Sequence, residues 1–535
     1  MSRQERLTLV ATILGSTVVF LDSTVVNVAL PAIGKGLDAG LAGQQWVVEA
    51  YLLALVSLML VGGSLGDEFG RRRMFVAGLV GFGLTSALCA VAPSPGFLVA
   101  ARALQGTAGA LLVPGSLAIV AATFSGEARG AAVGTWTAWT GIATVIGPAG
   151  GGALVSALSW RWVFWVNLPV IAATLAITYR WVAESRDPRA AQGIDWLGIL
   201  LSAAGFGGPV LALIEQPTHG WNSPLVWVPL LGGASCLAAF VAWEARTRAP
   251  MLDLALFRIR NFTVANLTTL SAYAGLIGGL FFVGLYLQQV LGYTPLEAGL
   301  ATTPVSLALF LLSPRFGRLT SRTGPRLPMT AGPIVGGVGL LLMRRIGPGS
   351  EYLTGVLPGV LVFGLGLSAI VAPLTATVLD SVPRERAGVA SGINNGVSRV
   401  AGLLAIAVLG AVISARFGSA IDSSLPASGL SRPAASVVQG AKSRPLAAPA
   451  TADLAVAEGS RVKTAAAQAS TSAFHLGIGI AGLLMIAGGA VSAAGIRNPR
   501  PGARGVPASG AAAAGECGRA TDGESGRAAA ATEAA

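Results

Sequence analysis

Three ionisable side chains interrupt long apolar runs: Asp22, Glu49 and Arg102. A charge at membrane depth is costly and normally faces a cleft or a partner, so each is a functional candidate. Asp22 is followed by Ser23, Thr24 and Asn27, about 20 Å from the start of its run at 1.5 Å per residue. Low dielectric disfavours an ionised carboxylate, which suits reversible protonation near neutral pH. The same residue could instead be a fixed hydrogen-bonding post between helices. Glu49 lies beside Trp46 and Tyr51, where it could take protons, hold an organic cation near the aromatic rings, or reach the headgroups. Arg102 opens Arg102-Ala103-Leu104-Gln105-Gly106. It could pair with Asp22 or with Glu49 and alternate with a proton in neutralising them, or simply snorkel to the interface, while Gln105 and the glycines extend a polar, close-packed seam.

The elements that must hold these residues are membrane helices. The 535 residues are 53% hydrophobic and 11% charged, with a mean hydropathy of +0.69. Roughly 20 apolar residues cross the hydrocarbon layer. Only helices and closed barrels satisfy the backbone there, and long unbroken runs exclude the barrel. The formal charge of +12 does not point to nucleic acid. Its arginines gather in short loops, among them Arg71 to Arg73, Arg186 with Arg189, Arg315 to Arg326, and Arg384 with Arg386. That bias predicts those loops, and both termini, on the cytoplasmic side. Cys89, Cys236, Cys517, His219 and His475 are scattered, so neither a disulfide framework nor a metal site is expected. Lys35, Lys442 and Lys463 sit in no phosphate-binding loop. Uphill transport would then draw on an ion gradient or a separate ATPase, with no bound cofactor. The first run, from about residue 7 to Pro31, is longer than a signal-peptide core and is expected to be retained.

Fourteen spans are expected, the seventh and eighth forming an inserted pair. The division is residues 1–190 as one six-helix bundle, 191–248 as the pair, and 249–495 as a second six-helix bundle with an external loop at 414–470. Residues 496–535 make an Ala/Gly-rich cytoplasmic tail. Tail and loop both read as mostly disordered or marginally ordered from composition. The halves are related by repetition. Gly63-Ser64-Leu65-Gly66-Asp67-Glu68-Phe69-Gly70-Arg71-Arg72 returns about 250 residues later as Gly317-Arg318-Leu319 through Gly324-Pro325-Arg326, the sign of a transporter built from related bundles. Glu127-x-x-Gly130-x-x-x-Gly134 and Glu385-x-x-Gly388-x-x-x-Gly392 repeat at nearly the same offset.

Other residues suggest movement and binding. Gly63, Asp67, Gly70, Arg71 and Arg72 could form a charge latch between conformations, or merely set topology; Ser321 replaces the acid in the second copy. In the fifth span, Gly141, Gly147, Pro148, Gly151 and Gly152 make a face on which helices can touch and slide. Asn27, Gln105, Tyr286, Gln289, Asn394 and Asn395 are candidate substrate contacts, with Phe281, Phe282, Gln288 and Arg399 on the same polar or aromatic faces.

These segments resemble the major facilitator superfamily, in its fourteen-span drug:proton antiporter branch. Leu21 to Pro31 is similar to that branch's first-helix signature, Gly63 to Phe75 to the cytoplasmic loop motif, Leu98 to Ala110 to the fourth-helix motif, and Gly141 to Gly152 to the exporters' fifth-helix motif. The resemblance implies an all-α membrane protein with two six-helix bundles around a central cavity, working by rocker-switch alternating access. It implies proton coupling through Asp22 and Glu49, a relay role for Arg102, and export rather than uptake. The tenth span has no acid in its core, unlike some dication exporters. The expected protein is a monomeric, multi-pass, bacterial plasma-membrane exporter, exchanging protons for an amphiphilic compound such as an antibiotic. Export of a siderophore or biosynthetic product, and a non-transporting receptor of the same fold, are the other readings.

Overall fold

Apolar sequence alone would let a helix drift along its axis, and the helix ends here are marked chemically. Ser2 and Glu5 form a capping box at the start of α1 (Arg3–Gly36), satisfying backbone donors that the first turn leaves free. Thr294 and Glu297 do the same for α11 (Pro295–Thr323), and Ser94 caps α4 (Pro95–Thr123). The remaining long helices of the first half are α2 (Leu41–Phe69), α3 (Arg71–Ala90), α5 (Gly126–Ala157) and the short α6 (Trp162–Trp165) continued by α7 (Asn167–Trp181). Then come α8 (Trp196–His219), α9 (Pro224–Glu244), α10 (Arg260–Gln289), α12 (Arg326–Leu342), α13 (Leu357–Asp380), α14 (Ala387–Ser424), α15 (Arg432–Lys442) and α16 (Val456–Gly495). This computed structural model describes residues 1–124, 126–186, 195–247, 252, 254–382, 387–425 and 430–498. Among them there is no strand, and 13 helical stretches are long and apolar enough to cross a membrane. The 32-residue α5 is a further long helix.

Every described helix lies within Met1–Ile496. The tail expected at 496–535 lies almost wholly outside the described residues.

One apolar core, with Leu9, Val18, Phe75, Phe82 and Leu112, lies among the first seven helices. A larger one runs from Leu30, Ile33 and Val47 into Phe282, Tyr286, Phe363 and Phe474 of the second group. Val210 and Ile214 of α8 meet Leu403 and Ala407 of α14, which seats the α8–α9 pair on the bundle.

The repeated loop has a repeated geometry. Gly70 and Gly324 each close a helix at positive φ, +113° and +81°, a conformation that side chains with a Cβ rarely adopt. Two residues on, Arg72 donates from Nη2 to the Tyr179 carbonyl at 2.8 Å, and Arg326 donates to the Ala493 carbonyl at 2.7 Å. Both carbonyls lie in the last turn of a helix, α7 and α16, where cations satisfy unbonded oxygens and oppose the dipole. Each half thus ties its own last helix to the same arginine.

The 414–470 stretch differs from expectation. Helix α14 runs on to Ser424, α16 begins at Val456, and α15 lies between them; only 426–429 fall outside the description. Ala434, Val438 and Ala441 are buried on one face of α15, and Ser431 caps it. Ala-rich composition reads as low complexity, yet alanine is the best helix former and this spacing makes an apolar stripe.

Candidate functional site

Three helices, α1, α4 and α7, converge at Asp22. Its carboxylate accepts from Arg102 Nη1 at 2.5 Å, from Gln105 Nε2 at 3.1 Å and from Asn167 Nδ2 at 3.1 Å. Arg102 and Gln105 are three residues apart on α4, so they share a face; Asn167 begins α7, and Asp22 is mid-way along α1. Arg102 Nη1 also donates to Gln105 Oε1 at 2.7 Å, and Arg102 Nε to the Val47 carbonyl at 3.0 Å. Its guanidinium lies 4.1 Å from the Tyr51 ring centroid and 5.9 Å from that of Phe164. Asp22 and Arg102 are each 1% exposed. A buried pair is tolerable when the remaining polar atoms are also bonded, and here amides, a carbonyl and an aromatic face complete the shell. Of the two partners open to Arg102, the structure selects Asp22.

Glu49 is in the opposite condition. It is fully buried in α2, and neither carboxylate oxygen has a hydrogen-bond partner. Leaving a charge so placed is expensive, which makes Glu49 the acid whose charge the fold does not accommodate.

The halves meet at one end of the bundle through hydrogen bonds and bare backbone. Gln288 Nε2 donates to the Val28 carbonyl at 3.0 Å, Gln45 Nε2 to the Ile406 carbonyl at 2.8 Å, and Gln289 Nε2 to Gln44 Oε1 at 3.3 Å. A Cβ placed on Gly152 would stand 2.4 Å from the Pro295 carbonyl oxygen, and one on Gly299 would stand 2.2 Å from that of Pro148. Helices α5 and α11 therefore interlock glycine against carbonyl, the close approach small residues permit. Gly147 and Gly151 face α1 instead, where added Cβ atoms would meet Thr24 Oγ1 and Val25. Of Gly141 only the place in α5 is described.

The other candidates are dispersed. Tyr286 is buried, stacks on Phe474 at 4.0 Å and bonds Thr471, which makes it packing between α10 and α16 rather than a cleft residue. Asn394 is held by Asn266 and Thr269 of α10, whereas Asn395 is exposed. The Asn27 side-chain oxygen is buried and has no partner. Gly63 lies near Pro114 of α4. The side chains of Asp67, Glu127 and Glu385 fall outside the described residues. The acid that meets the loop is Glu184, whose carboxylate accepts from the backbone N–H of Arg72 and Arg73 at 3.0 and 3.2 Å, capping α3.

Sequence reading missed Asn167, Tyr51 and Glu184 as partners. Asn167 carried one usable signal, an amide inside the apolar run Trp162 to Trp181.

Residues 12–406 match the Major Facilitator Superfamily family. The chain is 38% identical to multidrug resistance protein Stp of Mycobacterium tuberculosis, over 79% of this chain and 78% of that one. It is 35% identical to the tetracenomycin C resistance and export protein of Streptomyces glaucescens, over 77% and 76%. Among solved structures, a bacterial homolog of the human lysosomal transporter Spinster shares the fold, with a TM-score of 0.62, 16% identity and coverage of 92% of this chain and 98% of that one. The chain belongs to the Major Facilitator Superfamily and is a membrane transporter, not an enzyme.

Proposed function

We propose that this protein exports an amphiphilic drug or antibiotic across the plasma membrane in exchange for protons, by alternating access. The observation that carries the reading is the contrast between two buried acids: Asp22 with a complete set of donors and Glu49 with none. The bonded acid organises α1, α4 and α7, and the unbonded one takes up and gives back the proton. Resistance and export proteins among the relatives support drug-like cargo. With the arginine-rich loops in the cytoplasm, the interlocked end faces outward and the cleft is poised to load from inside. Rocking the halves would separate Gln45 from Ile406 and Gly152 from Pro295, while the Gly63–Arg72 loop approaches the other half. The proton gradient is the energy source, and the monomer contains every residue the scheme uses.

The test is purified protein in liposomes with an acidic interior, offered a panel of labelled antibiotics. Accumulation that needs both protein and pH gradient supports the reading; binding without accumulation would leave a receptor.

A further inference from the structure

Resting on that transport reading, we propose that the cleft contains an anion subsite, built on Arg399, that recognises amphiphiles carrying a carboxylate or other acidic group. Arg399 lies within the apolar span Val389–Ser424 of α14. Among the described residues it has no carboxylate partner; the Phe20 ring of α1 lies 5.6 Å from the guanidinium carbon, and the Tyr51 hydroxyl is within electrostatic reach. This places an arginine of one half against an aromatic ring of the other. Phe20 is on α1, which is enclosed by α2, α4, α5, α7, α10 and α11, so the pair belongs to the interior of the bundle. Both side chains nevertheless remain partly exposed. A water-sized molecule can therefore still touch both side chains.

The depth is also suitable. Ile406, where Gln45 joins the halves, is about 10 Å further along α14, and Val28, which receives Gln288, is about 12 Å further along α1. The subsite thus lies just below the interlocked end, where cargo entering the cleft would stop. Asn395, one turn before Arg399, is exposed on the same face and offers a second polar group. Phe20 offers an aromatic surface for the body of the molecule.

The charge inventory favours an acid over a cation. Arg102 is neutralised by Asp22 within the buried cluster and Glu49 carries the proton in this scheme, which leaves Arg399 as a half-buried fixed charge with no carboxylate partner among the described residues. A guanidinium presents a planar fork of donors that matches a carboxylate, and an intramembrane arginine without a protein anion is costly unless something else supplies the anion. The two amides nearby, Asn394 and Asn266, bond to each other and do not compete for it.

The experiment measures binding of pyrenebutyrate, of its uncharged amide and of a pyrene-bearing quaternary ammonium to purified protein in lipid nanodiscs. Wild type should bind the carboxylate about ten- to hundred-fold more tightly than the amide, the range of a charge-assisted bond, and should bind the ammonium weakest. Arg399→Gln should abolish the difference between carboxylate and amide while leaving amide affinity unchanged. Arg399→Lys, a second variant in case the first does not fold, should retain part of the preference. Equal affinity for all three probes in wild type, or an equal loss of carboxylate and amide in Arg399→Gln, would overturn the proposal. Binding is read without any gradient. A protein that binds the acid selectively yet moves nothing would contradict the transport reading and leave the subsite standing.

Discussion

Replacing Asp22 by Asn is the most informative perturbation, because its consequences can be worked out atom by atom. The carboxylate receives three bonds, and an amide offers one acceptor oxygen in its place. Arg102, 1% exposed, would lose its counter-charge while keeping the Val47 carbonyl, Gln105 and the Tyr51 ring. Breaking one side of a buried ion pair typically costs about 3–5 kcal/mol; the surviving contacts put this case near the lower end. Arg102→Met should cost a similar amount, since Asp22 would keep Gln105 and Asn167. The double variant should recover most of the loss, because exchanging a whole buried pair for uncharged groups is often close to neutral; with single losses of about 3 kcal/mol each and about 1 for the double, the coupling is about 5 kcal/mol. The assay is equilibrium unfolding in mixed micelles with increasing SDS, read for wild type, both single variants and the double. Single variants within about 1 kcal/mol of wild type, or a double variant as unstable as the sum, would refute the assignment of Asp22 and Arg102 as a dedicated pair.

Other outcomes follow from the same geometry. Glu49→Gln removes no hydrogen bond, so its stability should stay within about 1 kcal/mol of wild type while proton-driven accumulation is lost; a variant that still couples would remove Glu49 from the mechanism. Gly152→Ala pushes a methyl against the Pro295 carbonyl and should destabilise the interlocked end by about 1–3 kcal/mol, measured as slower disulfide formation between cysteines introduced at Ser156 and Leu296. Arg72→Ala and Arg326→Ala should each lower thermal stability by about 1 kcal/mol, the scale of a cation on a helix C-terminus, and unchanged melting in both would contradict their shared tie. Asp38→Ala breaks an exposed ion pair with Arg444 at 2.7 Å and should change stability by less than about 1 kcal/mol.

Much of this architecture was legible because membrane physics writes it in single residues. Apolar runs dictate the helices, and a charge such as Asp22 or Arg102 inside one is conspicuous without any structure. Gly70 and Gly324 could be paired by spacing alone, and the positive φ at both explains why glycine recurs. Partnerships over long separations were less legible. Asn167 reaches Asp22 across 145 residues, and nothing local to α7 announces its target. Tyr286 looked like a cleft aromatic because sequence gives its helix but not its rotation, which turns it onto Phe474. Helix α15 was hidden by a composition shared with disordered chains, although its three buried positions had helical spacing. Arg72 carried two readings, orientation and latch, and the structure adds a third, the bond to Tyr179.

Proton coupling is the central claim, and energised everted membrane vesicles test it most directly. An acid-interior gradient is followed by a pH-sensitive dye while antibiotics, lipophilic cations and aromatic acids are added in turn, with wild type, Asp22→Asn and Glu49→Gln at equal protein levels. The account predicts compound-dependent collapse of the gradient in wild type and none in either variant. A gradient that wild type leaves intact while it transports a compound, or a collapse that both variants reproduce, would contradict it.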